Sequence, residues 1–373
     1  DGHPWIFRDA LEGGLPPPGR VVTVVDTRRR FVARGLAESG PIGVRVLCTA
    51  DRPVDKVLFA RRIGAAAALR RLVVPAGTDT FRLLHGEGDR LPGVVCDLYG
   101  AYAVLRFDGQ AALHWRDVVI EALGPVLDEF GASTLLQRTG RGNKRRVEVV
   151  FGEQPPGPVD VVECTMRLRA DLLRGQKTGL FLDHRGSRRR VRRFARALRV
   201  LNLYGYTGGF SVAAGLGGAA SVETVDTAGA ALELAERSWA DNRLDPSRHR
   251  CHAVTVEEFL TGARERGDRF GLIISDPPSF APSEKKVRSA LDAYRALHRS
   301  VLGLLEPGGL VLAASCSSHV RRDAFEQTLL DAARKTGRVL QVLGRWGAPA
   351  DHPRLAAFPE GDYLKVALVR LAG

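Results

Sequence analysis

Cysteine is scarce in this sequence, with five among 373 residues. The five are Cys48, Cys96, Cys164, Cys251 and Cys316. They form no CxxC pair and lie far apart, so neither a zinc site nor a disulfide framework is indicated. No run approaches the roughly 18 uncharged apolar residues of a membrane span, and DGHPWIF at the start lacks the apolar core of a signal peptide. These absences disfavour membrane and secreted proteins and predict a reducing, cytoplasmic compartment.

Acidic residues are also fewer than basic ones. The chain contains 55 Lys and Arg and 42 Asp and Glu, which gives a formal net charge of +13. Such an excess favours a polyanionic partner, and nucleic acid is the first expectation. The alternative is a basic surface that is only solvated, and charge alone does not separate the two.

The pattern of apolar runs changes twice along the chain. Residues 1–70 carry short strand-like runs between Pro- and Gly-rich turns, which predicts a β-rich domain with a basic helix over Val54 to Leu72. Residues 71–158 combine further strands with the helical stretch HWRDVVIEALGPVLDEF, which predicts a central α+β domain ending at a Pro/Gly cluster. Over residues 159–373 strands alternate with helices, which predicts an α/β domain with a parallel sheet.

Four apolar runs of this last domain lead into chemically distinctive residues. RVLNL precedes the turn YGYTGG, which begins at Tyr204, and the runs SVETV, FGLIIS and LVLAAS precede Asp226, Asp276 and Cys316. Ligands of an open α/β sheet bind outside the carboxyl ends of its strands. We therefore expect these four positions to converge in space.

The glycine-rich turn indicates a cofactor. A Gly-rich turn that opens a helix and is followed by an acid about 20 residues later is typical of nucleotide-cofactor binding, and Gly205 and Asp226 have this spacing. The glycines follow GxxGG and not the GxGxxG that suits a pyrophosphate, which favours S-adenosylmethionine (SAM) over NAD. Asp226 would accept hydrogen bonds from the ribose hydroxyls. The alternative is a tight turn without a ligand.

The segment DPPSF, Asp276 to Phe280, indicates a nucleobase site. Its prolines stiffen the turn, so that the Asp276 carboxylate can accept a hydrogen bond from an amine or a protonated ring nitrogen. Phe280, together with Pro277, would contact the base by stacking. A plain turn at the end of a strand is the alternative.

Cys316 is the candidate nucleophile. A lone cysteine is more often a small buried apolar residue, but this one follows a strand at the expected crevice. Thiolate attack at C6 of cytosine makes C5 nucleophilic enough to take a methyl group from a sulfonium. Such a thiol needs a lowered pKa, which a basic pocket can supply. The other four cysteines are interpreted as structural.

Motifs along nearly the whole chain carry a resemblance to one family. They are HPWIF (3–7), GEGDRLPGVVCDLYG (86–100), GQKTGLFLDHR (175–185), LNLYGYTGGFSV (201–212), DPPSF, SCSSHV, DHP (351–353) and EGDYLK (360–365). With these motifs the chain resembles the PUA-domain-containing class I methyltransferases that form 5-methylcytosine in large-subunit ribosomal RNA. The resemblance implies a PUA-like RNA-binding domain, a central domain, and a C-terminal Rossmann-like methyltransferase domain whose last strand, YLKVALVRL, is antiparallel.

The resemblance also implies residues that bind SAM. The cofactor side of the pocket would be lined by Gln176, Lys177, Thr178, Phe181, Asp183 and Arg185. The methionine end would contact Tyr204, Tyr206, Thr207 and Gly208, with Asp226 on the ribose and Asp276 between cofactor and base. This chain departs from the family at the adenine, because Val256 stands where an acid is usual. Glu257 or a backbone amide is expected to replace that acid.

Two basic clusters are candidates for contacts with RNA phosphates. One is a loop that contains Arg138, Arg141, Lys144, Arg145 and Arg146. The other is the segment from Arg185 to Arg199, which contains eight arginines. A solvated cationic face is the alternative for both.

The sequence thus predicts a SAM-dependent enzyme that forms 5-methylcytosine in ribosomal RNA, with Cys316 as nucleophile and Asp276 holding the base. The expected partners are ribosomal RNA and a second copy of the chain in a homodimer, and no metal is expected. One alternative is methylation of a base nitrogen, which needs no thiol. Another is a catalytically silent RNA-binding or ribosome-assembly protein.

Overall fold

The structure is a computed structural model that describes residues 2–140 and 144–372. The chain divides into two compact units. The first comprises Asp1–Val161, Asp171–Leu182 and Ala350–Gly361, and the second comprises Val162–Ala170, Asp183–Pro349 and Asp362–Gly373. Each unit is therefore assembled from segments that are distant in sequence.

The first unit begins with four strands and a helix. The strands are β1 (Trp5–Phe7), β2 (Val21–Val25), β3 (Phe31–Ala37) and β4 (Ile42–Cys48), and the helix is α1 (Lys56–Val73). The strands form an antiparallel sheet in the order β1-β4-β3-β2. Exposed and half-buried residues alternate along β2, as expected for a strand with one solvated face. The Asp55 side chain caps α1 by accepting a hydrogen bond from Leu58 N.

A second, five-stranded sheet completes most of the first unit. Its strands, in both sequence and spatial order, are β5 (Thr80–His85), β6 (Val94–Tyr99), β7 (Tyr102–Phe107), β8 (Thr134–Thr139) and β9 (Arg146–Phe151). The helices α2 (Gln110–His114) and α3 (Arg116–Glu129) connect β7 to β8, and this crossover makes these two strands parallel. Two further strands, β10 (Val159–Glu163) and β11 (Met166–Ala170), form a separate small sheet.

One hydrophobic core joins the two sheets of the first unit. Leu36 of β3, Ile63 of α1 and Leu135 of β8 belong to the same buried cluster. The sequence predicts separate domains for residues 1–70 and 71–158, whereas this core groups both in one unit. The division into domains 1–70, 71–158 and 159–373 stays a prediction.

The second unit is a three-layered α/β structure. Its helices are α4 (Arg185–Phe194), α5 (Gly209–Leu216), α6 (Gly229–Asp241), α7 (Val256–Glu265), α8 (Val287–Gly303) and α9 (Arg322–Lys335). Its larger sheet contains β12 (Arg199–Leu203), β13 (Ser221–Val225), β14 (His249–His252), β15 (Phe270–Ser275), β16 (Leu305–Ser315), β17 (Leu340–Trp346) and β18 (Lys365–Leu371). The strand order is β14-β13-β12-β15-β16-β18-β17.

The predicted parallel sheet is confirmed. The strands β12 to β16 pair in parallel, and β18 is antiparallel to both β16 and β17, as the resemblance implies. The run FGLIIS is buried at every residue because β15 lies between two other strands in the middle of the sheet. Ile273, Tyr294 of α8 and Phe325 of α9 share the main core of this unit. Within the described part of the chain, no helix has the length and apolar character needed to cross a bilayer.

The shared core of the first unit predicts the effect of two substitutions on α1. Ile63 is 0% exposed, whereas Leu72 is 82% exposed on the same helix. We expect Ile63→Ala to lower the free energy of unfolding by about 2–5 kcal/mol, because it leaves a cavity. Leu72→Ala should change it by less than about 0.5 kcal/mol. Urea denaturation followed by circular dichroism measures both, and an equal loss in the two variants would contradict this core.

Candidate active site

Three parallel strands end in register at one edge of the larger sheet. Leu203, the last residue of β12, pairs with Val225 of β13 and with Ser275 of β15. The residues that follow these strand ends are Tyr204, Asp226 and Asp276. Their convergence, predicted from the sequence, follows from the hydrogen-bonding register of the strands. The order of the strands also reverses at β12, which is where α/β sheets bind their ligands.

The glycine-rich turn after β12 has an unusual backbone. Tyr204 and Tyr206 have positive φ angles of 56° and 48°, and Gly208 has a φ of 73°. A Cβ atom on Gly208 would lie 2.5 Å from the Cβ of Ala235, so only glycine fits there. Thr207 is buried between these residues. The turn therefore carries its backbone amide groups close to the carboxyl edge of the sheet.

Asp226 holds this turn in place. Its Oδ2 accepts a hydrogen bond of 2.9 Å from Tyr206 N, and its Oδ1 accepts one of 2.9 Å from Ala228 N. A carboxylate has about four lone-pair sites, so each oxygen can accept one more hydrogen bond. Asp226 is half-buried and can offer those sites to a pair of hydroxyl groups.

The residues beside Val256 differ in what they are able to contact. Val256 is 4% exposed and belongs to the main core, so it packs inward. Glu258 forms a capping box with Thr255 at the start of α7. Glu257 is exposed, and its charge, together with the larger effect of burial, raises the pKa of Tyr204. Glu257 therefore lies near the glycine-rich turn, as the proposed replacement for the missing acid requires.

The turns that contain Asp276 and Cys316 are hydrogen-bonded to each other. The hydroxyl oxygens of Ser279 and Ser317 are 3.1 Å apart, and Ala281 N donates a bond of 3.4 Å to Ser317 Oγ. Ser317 itself is 0% exposed. The segments DPPSF and SCSSHV therefore form one connected structure, although they are separated by α8 and β16 along the chain.

Tyr294 of α8 lies under both turns. Its hydroxyl donates a bond of 2.9 Å to Ser315 Oγ and is 3.3 Å from Ser317 Oγ. Burial raises the pKa of Tyr294, the two serine hydroxyls oppose this, and the negative charges of Cys316 and Asp276 raise the pKa further. The Tyr294 hydroxyl therefore contacts the residues on both sides of Cys316, Ser315 and Ser317.

A buried lysine lies beside Cys316, which is half-buried. Lys365, the first residue of β18, pairs with Ser315 across the sheet and is 1% exposed. Its Nζ donates bonds of 2.5 Å to the carbonyl oxygen of Ser317 and 2.8 Å to that of Tyr363. Burial lowers the pKa of Lys365 to about 8, and the negative charge of Cys316 opposes this shift. The Lys365 amine is thus hydrogen-bonded to the residue next to the candidate nucleophile.

Asp276 has a histidine partner. The His184 Nε2 atom is 3.1 Å from Asp276 Oδ2. The Nδ1 atom of His184 is 3.3 Å from Ser187 Oγ, which accepts a bond of 2.8 Å from Trp346 Nε1. Ser187 thus connects His184 to Trp346, and His184 connects Ser187 to Asp276. Asp183 and Arg185 on either side are buried, and Asp183 Oδ2 accepts a bond of 2.9 Å from the Tyr363 hydroxyl.

The other predicted cofactor residues belong to the first unit. Thr178 donates a bond of 2.5 Å to Asp97 Oδ2, and its oxygen is 2.8 Å from the Tyr99 hydroxyl. Gln176 accepts a backbone bond of 2.9 Å from Gly179 N. The Lys177 ammonium lies 4.4 Å from the centroid of the Phe181 ring. Their roles toward SAM stay predictions.

The predicted RNA contacts differ in exposure. Arg138 is 2% exposed and donates to the carbonyl oxygens of Gly175 and Lys177, so its prediction as a phosphate contact is wrong for this placement. Arg145 also binds the Gly175 carbonyl, at 2.8 Å. The exposed members of this cluster are Lys144 and Arg146, and Arg141 lies outside the described residues.

The two base contacts expected beside Asp276 are less accessible than the sequence suggested. Pro277 is buried, and the Phe280 ring packs 4.9 Å from that of Tyr294. Phe280 remains half-buried, so part of its ring is available to a base.

Comparison with known proteins identifies the family. A family model for S-adenosylmethionine-dependent methyltransferases matches residues 128–368, and a PUA-like domain model matches residues 1–49. The chain is 37% identical to ribosomal RNA large subunit methyltransferase I of Salmonella arizonae over 97% of its own length and 92% of the relative. It is 36% identical to the protein of that name from Erwinia tasmaniensis, over 97% of this chain and 94% of the relative.

The chain belongs to the SAM-dependent methyltransferase family. Solved structures share the fold. One is the crystal structure of a methyltransferase complexed with SAH, with a TM-score of 0.89, 24% identity, and coverage of 99% of this chain and 96% of that chain. Another is a SAM-dependent methyltransferase from Streptococcus mutans, with a TM-score of 0.84 and 23% identity. The match covers 96% of this chain and 93% of that chain. The predicted fold, with a PUA-like domain before a Rossmann-like methyltransferase domain, is confirmed.

SAM is the cofactor of this methyltransferase, as predicted. The residues at the carboxyl edge of the sheet fit it. Asp226 retains free acceptor sites for two ribose hydroxyls while it holds the glycine-rich turn. Gly208 keeps the backbone close without a side chain in the way, and Glu257 is exposed, while its role toward the adenine amine stays a prediction.

Sequence reasoning missed three residues of this methyltransferase site: His184, Tyr294 and Lys365. His184 is part of the segment GQKTGLFLDHR, where only its neighbours were assigned a role. Lys365 gave a usable signal, because a lone charge inside the apolar run YLKVALV indicates a buried partner. Tyr294 gave no such signal in the sequence, since a tyrosine on the apolar face of a helix is usually a core residue.

The two acceptor sites of Asp226 predict the effect of a nearly isosteric change. Asp226→Asn replaces one oxygen by an NH2 group that opposes the backbone donor at that position. We expect SAM affinity to fall about 10- to 100-fold, because hydrogen bonds to charged groups contribute about 1.5–3 kcal/mol. Isothermal titration calorimetry measures this change. The control is Glu233→Gln, an exposed carboxylate on α6, and equal affinities in the two variants would exclude Asp226 from the cofactor site.

Proposed function

We propose that this protein uses SAM to form 5-methylcytosine in large-subunit ribosomal RNA, with Cys316 as the nucleophile. The observation that carries the proposal is the hydrogen bonding between the Asp276 turn and the Cys316 turn, with the Tyr294 hydroxyl in contact with Ser315 and Ser317 on either side of Cys316. A base held by the carboxylate would thus lie beside the thiol. The relatives named ribosomal RNA large subunit methyltransferase I, and the net charge of +13, support ribosomal RNA as the substrate.

Cys316 would start the reaction as a thiolate. Its sulfur adds to C6 of cytosine, which makes C5 nucleophilic. C5 would then take the methyl group that bound SAM would supply, with S-adenosylhomocysteine as the leaving group. Loss of the C5 proton to a base and breakage of the C6–sulfur bond restore the aromatic ring and return the thiolate.

Asp276 and His184 would orient the cytosine. His184 Nε2 is 3.1 Å from Asp276 Oδ2, so the carboxylate is held on one side and Oδ1 can accept a hydrogen bond from the cytosine amine or a protonated N3. A hydrogen bond to N3–H stabilises the charge that develops when the thiolate adds to C6. His184 therefore acts as a positioning residue.

Lys365 would supply the positive charge that a reactive thiol needs. An ammonium group close to a thiol stabilises its ionised form and lowers its pKa. The hydrogen bonds of Lys365 to the carbonyl oxygens of Ser317 and Tyr363 fix the position of that charge relative to the turn. Two other cysteines lack this environment, since burial raises the pKa of Cys251 to about 12 and raises that of Cys96 further.

Methylation of a base nitrogen is the second candidate. The segment DPPSF supports it, because an Asp followed by two prolines and an aromatic residue also suits transfer to an amine. Such a reaction has no covalent step, so Cys316 discriminates between the two functions. A homodimer and a cytoplasmic location stay predictions.

The covalent mechanism predicts the result of removing the thiol. Cys316→Ala should abolish methyl transfer to a large-subunit ribosomal RNA transcript, while SAM affinity stays within about twofold of the wild type. Nucleoside mass spectrometry should identify 5-methylcytidine in the wild-type product. With RNA that contains 5-fluorocytidine, wild-type protein should form a stable adduct, since the C5 position then has no proton to lose.

Cys251→Ala is the matched control and should retain activity, because that cysteine lies within a different strand, β14. Transfer by the Cys316→Ala variant at the wild-type rate would end the covalent mechanism. A methyl group found on a nitrogen would favour the second candidate.

The position of Lys365 predicts a change in the reactivity of Cys316. In Lys365→Met, the pH midpoint for alkylation of Cys316 by iodoacetamide should rise by about 1–3 pH units, because an opposite charge is removed. Mass spectrometry of the peptide that contains Cys316 gives this midpoint. The control is Lys335→Met, which removes an exposed charge from α9.

Stability provides a second readout for the same variant. The pKa of Lys365 falls from 10.5 to about 8 on folding, so the unfolded chain binds more protons between these pH values. Wild-type protein should therefore gain stability as pH rises through this window, and Lys365→Met should lack that gain. An unchanged alkylation midpoint, together with a loss of stability at neutral pH, would give Lys365 a structural role only.

A further inference from the structure

Helix α4 presents two opposite faces with different chemistry. The inner face includes Arg188, which is 4% exposed and whose Nε donates a bond of 2.6 Å to Glu163 Oε1, and Val191, which is 2% exposed. The outer surface carries four exposed arginines, which we call the arginine face. They are Arg189, Arg190, Arg193 and, just after the helix, Arg196.

The arginine face is not neutralised by acids. Some exposed arginines elsewhere in the second unit have carboxylate partners, as in the pairs Arg248–Asp245 and Arg266–Asp268, whereas isolated ones such as Arg250 and Arg264 have none in the described part of the chain. The arginine face differs in that four such charges lie within eight residues. Among the residues that the structure describes, no carboxylate pairs with any member of the arginine face. Like charges at a spacing of three or four residues destabilise a helix. A repulsive surface of this kind is explained by an anionic partner that neutralises it.

One arginine of this face is held in position. The Arg190 guanidinium lies 4.3 Å from the centroid of the Trp346 ring, and Trp346 Nε1 donates a bond of 2.8 Å to Ser187 Oγ. Stacking on the ring occupies one side of the guanidinium plane, and Arg190 Nη1 donates a bond of 3.1 Å to the Gly186 carbonyl, so the remaining N–H groups serve a partner. The side chain is thus ordered before a partner binds, which lowers the entropic cost of the contact.

The arginine face begins next to the candidate active site. His184, the residue before α4, lies 3.1 Å from Asp276, and a helix of ten residues is about 15 Å long. A polyanion along α4 would therefore lead directly to the base that Asp276 holds. The ribose-phosphate backbone has the regular charge spacing and the phosphate oxygens that guanidinium groups bind in pairs.

We infer that the arginine face binds the RNA backbone next to the target nucleotide, an inference that rests on the proposed function for the identity of the RNA. The surface acts on phosphates and reads no sequence. It forms an RNA site on the methyltransferase domain itself, separate from the PUA-like domain at residues 1–49.

Salt dependence of RNA binding tests this inference. The variant R189Q/R190Q/R193Q keeps helix-forming residues and removes three charges. Its control, R250Q/R264Q/R334Q, removes three exposed charges from β14, α7 and α9. Fluorescence anisotropy with a large-subunit ribosomal RNA transcript gives log K against log salt concentration. The slope should be less steep by about two to three in the α4 variant, since each phosphate contact contributes roughly 0.7–0.9.

The control should keep the wild-type slope, and both variants should bind SAM with wild-type affinity, which verifies folding. Equal slopes in the α4 variant and the wild type would overturn the inference, as would an equal reduction in the control. The α4 variant could instead lose binding to phosphatidylglycerol vesicles while its RNA affinity stays that of the wild type. That result would assign the arginine face to a membrane surface and would also overturn the inference. A less steep salt dependence in the α4 variant alone, together with a wild type that forms no 5-methylcytidine, would support RNA binding by the arginine face. That result would contradict only the proposed reaction.

Discussion

The register of the parallel strands is the constraint on which the active site depends. The pairing of Leu203 with Val225 and Ser275 makes β12, β13 and β15 end in one row. A slip of one residue would turn every side chain of a strand to the other face of the sheet, against different packing partners, so the close packing of the core favours a single register. The positions of Asp226 and Asp276 are therefore determined by backbone hydrogen bonds in the protein core and not by flexible loops.

This constraint explains why much of the site could be predicted from the sequence. Strands buried on both faces are continuous apolar runs, and their ends are visible where the run stops. The runs RVLNL, SVETV and FGLIIS have the same bounds as β12, β13 and β15. The topology rule for α/β sheets then gathers the residues after them at one edge without knowledge of any side-chain contact.

Residues that depend on contacts between distant segments could not be predicted in this way. Arg138 lies in a basic, turn-like stretch, where an arginine is usually exposed. In the structure its guanidinium binds the carbonyl oxygens of Gly175 and Lys177, and this is a tertiary arrangement that no local pattern reveals. The joint core of the first unit is a similar case, because the apolar face of α1 does not indicate which sheet it will cover. Its residues Phe59 and Ile63 contribute to a cluster that includes both sheets.

Lys365 illustrates how the chemistry of the site opposes the stability of the fold. Transfer of an ammonium group from water into the protein interior costs several kcal/mol unless partners compensate, and a packed apolar side chain of similar size is often as stable or more so. The carbonyl oxygens of Ser317 and Tyr363 compensate only in part, since burial still lowers the pKa of Lys365 to about 8. Folding therefore disfavours the charged form of Lys365. The presence of a lysine at this position is better explained by the benefit of its positive charge to the neighbouring thiol. The same reasoning applies to the arginine face of α4, where repulsion in the free protein is relieved only when a polyanion is present.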